Sequence, residues 1–137
     1  MALQTFNIFT DPSLTIIVAG GINFSHKSDG STGDVTKVFY IGSPSDLSVL
    51  TTTVNPGVDQ IIMSATDPDG SAGTPAISNI KMALDLTSLD TVNAGDPLSI
   101  GAVINGGIAN AVPIYIRASL PAGEGALNIS TNDLTET

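Results

Sequence analysis

A chain of 137 residues fits one domain with one core. It has no cysteine and one histidine, which excludes disulfides, thiol catalysis and cysteine-based metal sites and leaves zinc and redox metals short of ligands. Thirteen acids against four bases, a net charge of −9, exclude the basic footprint of nucleic-acid binding, and only 12% charged residues with a mean hydropathy of +0.30 describe a β-protein whose uncharged surface is partly hidden against other subunits.

Residues 3–9 read as a first strand, closed by Asp11-Pro12, a dipeptide that favours a turn and cannot continue a ladder. The start of the chain lacks the basic opening and continuous apolar stretch of a signal peptide, so cytosolic synthesis without export by that route is expected. The apolar run 14–18 suggests a strand covered on both faces, Ala19-Gly20-Gly21 a bend, and 22–25 a resumed strand. Residues 26–33, dominated by Ser, Asp, Gly and Thr, read as a loop. In 34–42, Val35, Phe39 and Ile41 fall on one face and Thr36, Val38 and Tyr40 on the other.

After the breakers of 42–46, the threonine-rich 47–54 reads as a strand and Asn55-Pro56-Gly57 as a turn. Residues 59–65 alternate, with Ile61 and Met63 opposed to Ile62, and lead into the breaker-dense loop 67–73. In 77–86, Ile80, Met82, Leu84 and Leu86 alternate with Asn79, Lys81, Ala83 and Asp85, which marks another core strand. Residues 87–96 have room for one helical turn, capped by Ser88 and ended by Asn93-Ala94-Gly95. A strand over 98–104 then meets Asn105-Gly106, the dipeptide preferred in tight hairpins. Although 98–116 is uncharged for about the length of a membrane span, Asn105, Gly106, Gly107, Asn110 and Pro113 divide it into two short strands.

The stretch 111–119 alternates without a fault: Val112, Ile114, Ile116 and Ala118 against Pro113, Tyr115, Arg117 and Ser119. Pro113 cannot donate to a ladder and must sit at the strand's start or with its nitrogen turned from a neighbour. Residues 126–130 form a last short strand before an acidic, polar end. Asp11-Pro12 leading to Gly20-Gly21-Ile22 echoes Asp96-Pro97 leading to Gly106-Gly107-Ile108, but the intervals differ and no solenoid period is present. Short strands at roughly ten-residue spacing specify an all-β fold, an antiparallel β-sandwich of about eight strands, immunoglobulin-like or jelly-roll-like. The division is 1–10 as an N-terminal strand or arm, 11–130 as the sandwich and 131–137 as a polar C-terminal tail. Phe39, Ile41, Ile80, Met82, Leu84, Ile114 and Ile116 are expected to share its core.

Little of the chain carries chemistry. His26 stands beside Lys27 with no Gly-x-Ser-x-Gly elbow in the chain, so it reads as a solvated loop histidine rather than a catalytic base. Asp67, Asp69 and Ser71 are spaced as in the opening of a calcium loop, but Pro68 stiffens it, Gly70 comes early and no bidentate Glu follows; an ordinary turn is the stronger reading, as it is for 29–34. Gly20-Gly21 and Gly106-Gly107 lack the lysine and following helix of a phosphate cradle and read as strand bends. Asn23-Phe24-Ser25 and Asn128-Ile129-Ser130 match the glycosylation sequon at a frequency that chance supplies in a chain this rich in Ser and Thr. Tyr40 and Tyr115 have rings that can stack on sugar, yet an amphipathic ring covering a sheet is the commoner role and there is no Trp. No catalytic, metal or cofactor-binding residue and no cofactor are therefore expected, and the chain reads as non-enzymatic.

Asp34-Val-Thr-Lys-Val-Phe-Tyr-Ile41, Asp96-Pro-Leu-Ser-Ile-Gly101, Gly106-Gly107 and Ala111-Val-Pro-Ile-Tyr-Ile-Arg117 together resemble the immunoglobulin-like β-sandwich modules in accessory virion proteins of tailed bacteriophages, capsid decoration or cement proteins being the nearest kind. The resemblance spans residues 5–130 and implies a structural protein that binds and stabilises the shell, made in the host cytoplasm and resident on the virion. Its implied partners are further copies of itself, as a trimer, and the major capsid or another virion protein, without nucleic acid or membrane. Two rivals stand beside it: a tail, neck or fibre component, and a secreted adhesion or carbohydrate-binding module, which an export signal or exposed tryptophans would favour. Attachment is expected through uncharged strand edges and through terminal arms at 1–10 and 128–137, since so apolar a chain leaves patches that soluble monomers hide.

Overall fold

The computed structural model of the chain describes residues 5–18, 22–26, 35–66, 80–118, 123–131 and 134–137, with backbone alone at 22–26, 66 and 123–130. The strands are β1 (Asn7–Phe9), β2 (Ile22–His26), β3 (Val35–Gly42), β4 (Val49–Thr52), β5 (Ile62–Thr66), β6 (Ile80–Ala83), β7 (Leu98–Ser99), β8 (Val103–Asn105), β9 (Val112–Ala118), β10 (Gly123–Thr131) and β11 (Leu134–Glu136). Short 3-10 turns occupy Ser88–Asp90 and Ile108–Asn110. Every ladder between these strands is antiparallel, so the chain folds as the all-β antiparallel sandwich its alternation requires.

One layer has the order β1-β3-β9-β6. The other consists of two ladders, β2-β10-β5-β7 and β11-β4-β8. In that layer β4 and β5 hold the same place end to end: β4 lies between β11 and β8, β5 between β10 and β7, and each of those flanking pairs is a continuous stretch of chain. Residues 53–61 leave the layer between them as an excursion, and the sandwich therefore has four strand places in each layer. Among the described strands no two consecutive ones are ladder partners, because every connection outside that layer's own continuations crosses to the opposite layer.

The core follows from the alternation of β9. Ile114 and Ile116 are fully buried and lie opposite Phe39 and Met82, while Ala118 lies opposite Val35 and Ile80. Leu50, Met63 and Ile104 meet them from the second layer, joined by Phe6, Ile61 and Ile100. Each such side chain removed from water stabilises the fold by about 1.5–3 kcal/mol. Pro113 is the second residue of β9, opposite Tyr40 and beyond the reach of β6, so its missing N–H costs no bond on that side.

Several local expectations change. Leu84 is 40% exposed and outside the core, because β6 stops at Ala83. There the Asp85 carboxylate accepts the Ser88 N–H at 2.7 Å and its hydroxyl at 3.0 Å, which folds the chain into the 3-10 turn, where Leu89 is fully buried. Ser88 is consequently not the cap of that turn, and Asp85 does the work assigned to it. Residues 14–18 do not form a strand covered on both faces: Leu14 is buried at φ 56°, but Ile16 and Ile17 are 60% and 52% exposed and only a bridge from Ile17 to Phe9 continues the sheet.

The expected strand 98–104 is split into β7 and β8. Ile100 donates its N–H to the Ile61 carbonyl while Gly101, at φ 110°, accepts the Ile61 N–H, so two residues oppose one and the strand bends as a bulge. Asn105-Gly106 makes no hairpin, since β8 pairs with β4 and β9 with β3 and β6. Gly106 is instead buried against the 45–48 turn, its N–H bonded to the Ser48 carbonyl at 2.7 Å; a Cβ there would lie 1.9 Å from the Ser45 oxygen. At the C-terminus, the stretch read as a polar tail contains β11, and 123–131 is one strand where only 126–130 was expected.

Candidate functional site

Three polar groupings stand out, two of them built from residues distant in sequence. The first joins the ends of the chain. The Thr5 N–H donates to Glu136 Oε2 at 2.8 Å and Oε1 at 3.2 Å, and its hydroxyl donates to Glu136 Oε1. Ser43 donates its hydroxyl to Thr5 Oγ1 at 2.5 Å and accepts the Ser45 N–H at 3.0 Å, with Ser48 Oγ 3.3 Å from Thr5 Oγ1. Glu136 is 5% exposed and Ser43 fully buried, so this is a carboxylate taken out of water and compensated by N–H and hydroxyl donors. Sequence reasoning missed it, because a glutamate beside the last residue of a polar stretch looks like any solvated side chain.

The second grouping closes the loop after β1. Asp11 accepts the N–H groups of Thr15 at 3.0 Å and Ile16 at 2.9 Å and the Thr15 hydroxyl at 2.7 Å. The Thr15 hydroxyl, then the Ile16 N–H, hold its carboxyl below the ordinary aspartate value of 3.8. The third lies on the outside of the first layer, where Arg117 reaches the Asp90 carboxylate at 2.8 Å and the Thr36 hydroxyl at 3.2 Å. Lys81 sits directly opposite Arg117, and Lys37 opposite Ile116, so the described bases share one layer. All three groupings hold segments in place.

The residues singled out by sequence are scattered. Tyr40 and Tyr115 are half-buried on the outer face of the first layer, opposite Pro113 and Val38. His26 ends β2 opposite Gly123 rather than standing in a loop, and Asn23 and Asn128 lie in β2 and β10; their side chains are outside the described residues. Asp67, Asp69, Ser71, the 29–34 stretch and Gly20-Gly21 also lie outside them. Gly107, at φ 100°, bends the chain after β8 as expected of a glycine pair. Among the described residues no group of three His, Cys, Asp or Glu could hold a metal ion, and no helix is long and apolar enough to cross a membrane.

What the fold does assemble is an uncharged strip on the outside of β11, β4 and β8. Leu50, Thr52 and Ile104 point into the core, which turns Val49, Thr51, Val103, Asn105 and Thr135 outward. Val103 is 45% exposed, and the 53–61 excursion beside it adds Val54 at 65% and Val58 at 74%. The excursion is tied to the strip where Thr53 and Thr135 share a hydroxyl bond of 2.9 Å. Leu47, 91% exposed, stands where the chain enters β4; Asp46 precedes it, Asp59 lies in the excursion, and Glu136 of β11 turns inward opposite Leu50. No family model, curated protein or solved structure matches the chain.

Proposed function

We propose that this chain is a non-enzymatic structural protein of a virion, a capsid decoration or cement module that docks on the shell through the outer face of β11, β4 and β8. The observation that carries the proposal is that strip: in a chain of net charge −9, it gathers exposed valines and threonines with no charged side chain among them. An uncharged patch of this kind associates by burying apolar area against a partner, here the shell protein and neighbouring copies of the same chain. Docking falls to this face rather than to free arms, because β1 and β11 are both paired within the chain.

The test is the composition of purified particles. The chain is expected in the shell fraction, and Val103→Lys, which puts a charge at the centre of the strip, is expected to leave it in the supernatant with an unchanged melting temperature. Retention of Val103→Lys at the normal copy number would remove the face from the proposal, and recovery of the native chain in tail fractions alone would favour a tail, neck or fibre component. A sugar-binding module would instead lose retention on a glycan resin with Tyr40→Ala or Tyr115→Ala.

A further inference from the structure

The clasp between Thr5 and Glu136 joins two segments anchored very differently. Thr5 leads into a segment held by Phe6 and Phe9, 2% and 3% exposed, so its position is fixed by the interior. β11 contributes no fully buried apolar side chain; Leu134 is half-buried and Thr135 faces outward. Beyond the clasp, its attachment is a three-residue ladder to β4, continued by two bonds of 2.9 Å between Thr137 and Val49, with the Thr135–Thr53 hydroxyl bond and the partial packing of Leu134 on the core. Glu136 is nonetheless 5% exposed, so separating the halves takes the Thr5 donors from a buried carboxylate.

We propose that β11 is a releasable strap and that Thr5, backed by Ser43, is its catch. While the catch holds, β11 covers the edge of β4; when it opens, β11 lifts as a unit and the backbone groups of Val49 and Thr51 that face it become available to another strand. The inference does not depend on the docking face above, since it concerns opening within a single chain.

Residue-resolved hydrogen exchange on the full chain tests it, read at the Val49 and Thr137 amides, both bonded across the β4–β11 ladder. Thr5→Val keeps the shape of the side chain and removes the hydroxyl. It is expected to speed exchange at both amides by roughly ten- to a hundred-fold, as for loss of a charge-assisted bond, with Ile114 and Ile116 unchanged. Thr5→Ser is expected to restore native rates, and Glu136→Gln to reproduce the acceleration. Unchanged rates at Val49 and Thr137 in Thr5→Val, or equal acceleration throughout β9, would overturn the proposal. Should the variants fail to fold, the native chain in dilute denaturant decides: Val49 and Thr137 must share one opening below that of the core, and exchange only through global unfolding would refute the strap.

Discussion

The outer face of β3, β9 and β6 carries Tyr40, Tyr115, Lys81 and Arg117 and meets the 3-10 turn at its margin, whereas the outer face of β11, β4 and β8 carries valine, threonine and asparagine and, among the described residues, lies beside the 53–61 excursion. On the first face the 3-10 turn after β6 buries Leu89 completely and Ala83 to 2%, and Asp90 of the same turn neutralises Arg117. On the second, Val103 stays 45% exposed. The difference separates two ways of handling an outward apolar residue: one is covered intramolecularly and contributes to stability, the other stays exposed on the face proposed above for docking.

Substitutions on either side break or sharpen that contrast. Leu89→Ala on the covered face is expected to cost about 2–5 kcal/mol in denaturant unfolding, the range for a large-to-small change at a fully buried site, and a negligible effect would mean that the turn covers nothing. Gly106→Ala, at the end where the open face begins, forces a methyl to 1.9 Å from the Ser45 oxygen and should cost about 1–3 kcal/mol through backbone displacement. Arg117→Met removes a pair whose Asp90 side chain is 70% exposed, so a loss of about 0.2–1 kcal/mol that shrinks with added salt is expected in chemical denaturation. Val103→Thr on the open face should change stability by less than about 0.5 kcal/mol while weakening attachment to particles.

The smallest effect concerns pH. Asp11 is held below 3.8 by donors present only in the folded chain, so its contribution is complete above that value and is lost as pH falls through the folded value. An NMR titration of its carboxyl should show the lowered midpoint, and Thr15→Val should return it toward 3.8.

The strands that alternate cleanly were legible in sequence. Ile114, Ile116, Phe39, Ile41, Ile80 and Met82 are all buried, because an alternation with a β-branched or large apolar set has only one face it can turn inward. Leu84 failed because periodicity carries no information about where a strand stops; Asp85, three residues before Ser88, was the stop signal and looked like one more polar partner in the pattern. Asn105-Gly106 failed for a related reason, since its hairpin preference is local and was overruled by the pairing of β8 with β4. The strip on β11, β4 and β8 was not legible at all: Val49, Thr51, Val103 and Thr135 meet only through ladders between distant segments, and nothing in any one segment marks them as neighbours.

That no described strand is a ladder partner of the next in sequence bears on how the chain acquires its shape. Val35 must find Ala118 and Leu50 must find Glu136 before either sheet has a finished ladder, so among the described residues the Phe9–Ile17 bridge is a rare local pairing and the ladders join distant segments. Folding of such a topology belongs to the slow end of the range for small domains, on the order of milliseconds to seconds. During synthesis β4 waits for residues 134–136 to emerge from the ribosome, and for that interval its edge is open to whatever other strand arrives first.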